Sequence, residues 1–98
     1  MNINKAINER ELIIALEGRL DTATAPELEA KLNQSLNGIE KLVFDFAALD
    51  YLSSAGLRVL LSAQKTMNKQ GKMIVRNVNE TISEIFEVTG FSNILTIE

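Results

Sequence analysis

At 98 residues the chain is long enough for one domain with a substantial core and too short for two comfortable lobes. Hydrophobic residues at 46% and charged ones at 23% exclude a disordered or membrane-embedded composition, and a formal net charge of -3, with the Lys and Arg scattered, argues against a nucleic-acid partner. Cysteine and histidine are both absent, which removes disulfides, thiol nucleophiles, imidazole bases and the usual zinc ligands together.

From the N-terminus, Ile3 to Ile7 reads as a weak strand, Asn8-Glu9-Arg10 as a turn, and Glu11 to Glu17 as the second arm of a hairpin. Met1 to Lys5 leads into no long apolar stretch with a small-residue cleavage site, and no window approaches the roughly 20 apolar residues of a membrane span. A soluble cytoplasmic protein without membrane insertion is expected. Gly18 interrupts the second strand and marks a bulge or a close backbone approach, with Arg19 and Leu20 continuing it and Asp21-Thr22-Ala23 as a loop. Thr24, with Pro26 two and Glu27 three residues later, has the pattern of an N-cap with a capping box. It predicts a helix from Ala25 to Leu36 that turns Leu28, Leu32 and Leu36 inward and ends at Asn37-Gly38.

Lys41 to Phe46 follows, apolar at almost every position from Leu42 on, which predicts a central strand buried on both faces. Ala47 to Leu52 reads as a polar-punctuated crossing. Ser53-Ser54 then open a helix, over roughly Ser54 to Lys69, whose Leu57, Leu60, Leu61, Ala63 and Met67 recur near a 3.6-residue period. Either Ser53 or Ser54 fits the N-cap, and neither has the acid three positions on that a capping box requires. Gly71 stops that helix and Lys72 to Arg76 is a further strand. Asn79 or Thr81 caps a third helix, with Ile82, Ile85, Phe86 and Val88 inward and Gly90 at its C-terminal left-handed position. Ile94 to Ile97 reads as a short last strand. The order implies one α/β domain over residues 1–98, with a mixed, mostly parallel sheet of about five strands and an N-terminal hairpin. Ligands of such sheets gather beyond the carboxyl ends of the strands, where Asp21 and the serine pair both fall.

No catalytic constellation competes well. Asp21, Asp45 and Asp50 are the acids from which a magnesium site would be drawn, but no Walker loop or Gly-rich cradle accompanies them. The paired serines have no Lys, His or Cys nearby in sequence to serve as a base. The chain reads as a substrate of modification rather than an enzyme, with no cofactor. Its serines have a plain reading as a capping turn, and a sharper one in which a hydroxyl at the helix mouth carries a phosphate that the free N–H groups and helix dipole tolerate.

Three stretches carry a resemblance: Gly18-Arg19-Leu20-Asp21-Thr22-Ala23-Thr24-Ala25, the strand ending in Asp45-Phe46, and Leu52-Ser53-Ser54-Ala55-Gly56-Leu57-Arg58-Val59-Leu60-Leu61. Together they resemble the STAS domain of bacterial anti-sigma factor antagonists, in order and spacing, over nearly the whole chain. The resemblance implies a protein that, unphosphorylated, binds an anti-sigma factor serine kinase and releases the sigma factor it holds. The kinase then phosphorylates one serine, and a PP2C-type phosphatase resets the cycle. Anchoring the motif on Gly56 puts the phosphoacceptor at Ser54 and the partner-binding surface on Asp21, Thr22, Ser53, Ser54, Gly56, Leu57 and Arg58, with Arg58 placed to hold the phosphate. Ser53 and Ala55 stand where the family often has an acidic residue and a second hydroxyl, and Arg58 where a small residue is common. Asp21 has two readings, partner contact and Asx-turn acid. Within the same fold the alternative function is an accessory subunit of a membrane lipid-transport ATPase or another signalling complex, without a phosphorylation cycle.

Overall fold

The computed structural model describes residues 1–98. Period-two alternation in β2 (Glu11–Leu20) puts Leu12, Ile14 and Leu16 on one face, all fully buried, and leaves Glu11, Ile13 and Ala15 half-buried on the other. β1 (Asn2–Asn8) folds back on β2 antiparallel as the exposed edge of the sheet. β3 (Lys41–Leu52) and β4 (Lys72–Arg76) add in parallel, giving the order β1-β2-β3-β4. The expected hairpin and mixed sheet are present, and β3 is the interior strand that the run Leu42 to Phe46 predicts. Leu42, Phe44 and Phe46 face the helices, whereas Val43 and Ile74, only 3% and 7% exposed, stand on the opposite face outside the main core.

Three helices cover the core face: α1 (Ala25–Ser35), α2 (Ser54–Gln70) and α3 (Glu80–Thr89). Leu28, Leu32 and Leu36 are buried as their i, i+4 spacing predicts, as are Leu57, Leu60, Ala63 and Met67, while Leu61 lies at the edge of its stripe and is half-buried. All three helices feed one cluster of 24 buried residues, so the sheet and both sequence halves share a single core. The α2 C-terminus is tied to the α1–β3 connection, because Gln70 Nε2 donates to Leu36 O at 2.7 Å and Ile39 O at 2.6 Å, and Lys72 N donates to Glu40 O at 3.0 Å.

Several boundaries differ from expectation, each for a local reason. Ala47 to Leu52 is not a crossing but the second half of β3. In the parallel register Ala15↔Asp45 is followed by Glu17↔Ala48, and Gly18↔Leu49 by Arg19↔Tyr51, so β3 carries one extra residue at each of two bulges. Each bulge stretches the inward spacing from two to three, which is why Phe46, Leu49 and Leu52 are all buried. The irregularity expected at Gly18 therefore exists, but its extra residue lies in β3.

The capping box at Thr24 does not form. Thr24 already has helical dihedrals (φ -100, ψ -20) and makes no side-chain cap, while Asp21 O accepts from Thr24 N at 3.2 Å and Ala25 N at 2.8 Å. Asn79 rather than Thr81 caps α3, its Oδ1 accepting from Ile82 N at 2.9 Å and its Nδ2 donating to Leu49 O at 2.8 Å. Val88 is 78% exposed, because the inward stripe runs Ile82–Phe86 and a residue two beyond Phe86 points away from it. Gly90 takes the expected left-handed position at φ 80. The sheet has four strands rather than about five. After α3 the chain closes into a 3₁₀ turn, Phe91–Asn93, and of the strand expected over Ile94 to Ile97 only the single bridge Val75↔Ile97 is made.

Candidate functional site

Because β2 and β3 both run past the end of β4, they carry two connections to the same edge of the molecule. Leu20 pairs with Leu52, and Ser53 N donates to Leu20 O at 2.9 Å, so the loop after β2 and the start of α2 leave the sheet side by side. Ser53 is the N-cap, with extended backbone and its Oγ accepting a long 3.5 Å bond from Gly56 N. Of the two serines left open by the sequence, the cap belongs to Ser53. Ser54 is the first helical residue and is exposed; Arg58, also exposed, follows at i+4, the spacing that places both on one side of the helix.

Gly56 sets how closely α2 can approach the strands. A Cβ there would stand 2.6 Å from Leu52 Cδ1 and 2.7 Å from Leu20 Cγ, in a position already buried. Only the absence of a side chain lets the mouth of α2 rest on both strand ends. Gly56→Ala is expected to cost about 1–3 kcal/mol by overpacking and to shift Ser53 and Ser54 with the helix. Denaturant unfolding and amide chemical shifts of residues 53–58 would register both effects; an unchanged midpoint would show that the two leucines yield freely.

The loop after β2 is held by its own side chains. Asp21 Oδ1 accepts from Ala23 N at 3.0 Å and Thr24 N at 3.2 Å, an Asx-turn arrangement, and Asp21 Oδ2 lies 3.6 Å from Arg19 Nε. The Arg19 guanidinium in turn covers the Tyr51 ring at 4.4 Å. Thr22 and Ala23 are exposed at the loop tip. An open groove of about 360 Å³ runs between this loop and the two helices, lined by Thr22, Ala25, Pro26 and Glu29 on one side and Ala55, Arg58, Val59 and Ser62 on the other. The structure thus brings Thr22 and Arg58 to one groove; Asp21, Ser53 and Ser54 are not among its lining residues but adjoin Thr22 and Ala55 in the chain, and Gly56 and Leu57 are buried in the same first turns of α2.

Partial withdrawal from water pushes the Asp21 carboxyl up, but the N–H groups of Thr24 and Ala23, the Thr24 hydroxyl and the Arg19 charge together outweigh it and hold its pKa below the ordinary 3.8. Asp45 is also held below 3.8, first by the Asn77 side-chain amide at 3.0 Å, then by the Ala47 N–H, with partial burial opposing and Arg76 assisting. Asp45 is thereby engaged in pinning the β4–α3 connection, and no three acidic side chains lie together where a metal would need them. Both folded-state values are depressed, so the stability these groups contribute is present above the unfolded pKa and is lost as pH falls through the lower folded values. Unfolding midpoints should therefore fall as pH is lowered below about 4, and fall less in Asp45→Asn than in wild type. Equal acid sensitivity in both would remove Asp45 from that account.

Two features of the site were not read from the sequence. The Arg19–Tyr51 stack depends on the second bulge of β3, which no sequence period reveals. The lining role of Pro26, Glu29, Val59 and Ser62 depends on how α1 lies against α2.

Comparison with known proteins adds a consistent picture. The family model described as STAS domain matches residues 2–98. The anti-sigma-B factor antagonist of Listeria monocytogenes is 32% identical over 104 aligned positions, covering 100% of this chain and 90% of that one. Among solved structures, an anti-sigma factor antagonist from Mycobacterium paratuberculosis superposes with a TM-score of 0.88 at 21% identity, covering 98% of this chain and 83% of that one. The Bacillus anti-sigma factor antagonist SpoIIAA in its unphosphorylated form gives 0.86 at 18% identity, over 99% and 88% of the two chains. At such identities the structural likeness shows the fold. No helix is long and apolar enough to cross a membrane.

Proposed function

The chain belongs to the STAS domain family, in the branch of regulatory, non-catalytic anti-sigma factor antagonists that act by partner switching, and from that premise we propose how its own switch operates. Unphosphorylated, it binds an anti-sigma factor serine kinase in the cytoplasm through the face made by Asp21, Thr22, Ser53, Ser54, Gly56, Leu57 and Arg58, and the sigma factor is released. Phosphate on Ser54 ends the complex, and a PP2C-type phosphatase restores the binding form. Bacillus SpoIIAA, which shares the fold, has been solved in both an unphosphorylated and a phosphorylated form.

The observation that carries the reading is the division of labour between the two serines. Ser53 is half-buried with its hydroxyl turned to the helix as a cap, whereas Ser54 is exposed on the first turn of α2. A kinase can reach Ser54 without unfolding the helix mouth, and a phosphate there faces unpaired first-turn N–H groups and the positive end of the dipole. It adds about 1.5 to 2 negative charges, taking the domain from -3 toward roughly -5. The fold tolerates that charge, so the cost falls on a partner packed against the same face. Arg58 holds the phosphate in one orientation from the next turn.

Purification of the domain from its native cell, with identification of its bound proteins by mass spectrometry, tests this function. A serine kinase of the anti-sigma type should co-purify and be released by ATP. Co-purification of lipid-transport ATPase subunits, with no phosphate on the domain, would replace the proposal by the accessory role.

A further inference from the structure

The loop after β2 makes a set of bonds that neither capping nor partner contact explains. The Thr24 hydroxyl accepts from Asp21 N at 2.9 Å and shares its one proton between Arg19 O at 2.8 Å and Asp21 Oδ1 at 3.2 Å, closing the loop onto the last residues of β2. Asp21 closes it from the inside, with Oδ1 shared between the Ala23 and Thr24 N–H groups and Oδ2 turned to Arg19. Both carboxylate oxygens thus point into the loop's own donors. Thr22, by contrast, stands exposed at the tip on the groove it shares with Ala55 and Arg58.

We propose that Thr24 is a positioning residue of the partner-binding surface, clasping the Asp21–Thr24 loop so that Asp21 and Thr22 are held in their binding shape. The inference rests on the partner-binding reading given above. Its physical content is entropy: a four-residue loop fixed before the encounter loses less freedom on binding than one that must be ordered by the partner. Without the Thr24 hydroxyl, Arg19 C=O and Asp21 N–H turn to water, and the tip no longer holds Thr22 against the groove. This accounts for a threonine three residues after the aspartate without assigning it the helix cap that it does not form.

Three variants separate the clasp from the contact, read by calorimetry against the purified anti-sigma kinase and by amide exchange. Thr24→Val keeps the shape and removes the hydroxyl. It should weaken binding by about tenfold, the value of two modest hydrogen bonds, and speed exchange at the Asp21 amide. Thr24→Ser should restore both. Thr22→Arg breaks none of the clasp bonds and should weaken binding with no change in exchange. The proposal is overturned if Thr24→Val binds as wild type, if Thr24→Ser fails to rescue, or if Thr22→Arg binds normally. Failure of the wild-type domain to bind the kinase at all overturns the functional reading instead, while the exchange comparison between Thr24→Val and Thr24→Ser still decides the clasp.

Discussion

Ser54→Ala is expected to reduce phosphate transfer from the cognate kinase to background while leaving the affinity of the unmodified complex nearly unchanged. The substitution removes the only atom to which the phosphate would be attached and takes little else, because Ser54 is exposed at the first position of α2 and the cap is supplied by Ser53. Alanine at that position is a good helix former, so the helix mouth should keep its place. Stoichiometric phosphate on wild-type Ser54 should weaken binding by on the order of a hundredfold, since a dianion facing a desolvated partner surface costs several kcal/mol if that surface is acidic or apolar. Ser54→Asp should lie between, its carboxylate being smaller and carrying less charge than phosphate. Ser53→Ala should still accept phosphate at Ser54, with a stability loss at the low end of cap substitutions, about 0.5 kcal/mol, in keeping with the 3.5 Å length of its bond to Gly56 N. Radiolabel transfer and titration calorimetry read all four.

Gly71→Ala is expected to produce the largest stability loss of any small substitution in the domain without touching the binding face. A Cβ at Gly71 would overlap the Glu40 carbonyl oxygen and stand 2.6 Å from its carbon, and the obstacle is backbone rather than a movable side-chain end. The cost is steric rather than conformational, because φ at Gly71 is 172, extended geometry open to any residue. Relief requires parting β4 from the α1–β3 connection, and with it the Lys72 N to Glu40 O bond and the two bonds from Gln70 Nε2. We expect a loss of about 3 kcal/mol or more, beyond the ordinary range for overpacking because the backbone itself must move. Chemical denaturation measures it. A loss under about 1 kcal/mol would mean that the connection at Glu40 shifts easily, contrary to its fixed hydrogen bonds.

Much of the fold was legible because local signals and tertiary packing agree. The apolar run Leu42 to Phe46, the leucine stripe of α1 and the Asn79 and Gly90 caps of α3 all do in the structure what their sequence pattern requires. The misses share one cause, a contact distant in sequence overriding a local pattern. Asp50 and Tyr51 look like loop because two bulges lengthen the inward period of β3 from two to three, and only pairing with Glu17 to Leu20 makes that segment a strand. Thr24 matches a capping box, yet its hydroxyl is claimed by Arg19 O, five residues back across a loop whose closure the sequence does not display. The candidate site was legible as two motifs, at Asp21 and at Ser53-Ser54. Their adjacency follows from the Leu20↔Leu52 pairing, and the choice between the serines as cap follows from backbone dihedrals at Ser53.

The most direct test of the switch uses the purified domain and its anti-sigma kinase with ATP. The phosphate is located by fragmentation mass spectrometry, and the affinity of the two proteins is measured before transfer and after it has gone to completion. The account predicts one phosphate, on Ser54, and binding weakened on the order of a hundredfold. Phosphate on Ser53, or tight binding undiminished by stoichiometric phosphate on Ser54, would contradict it.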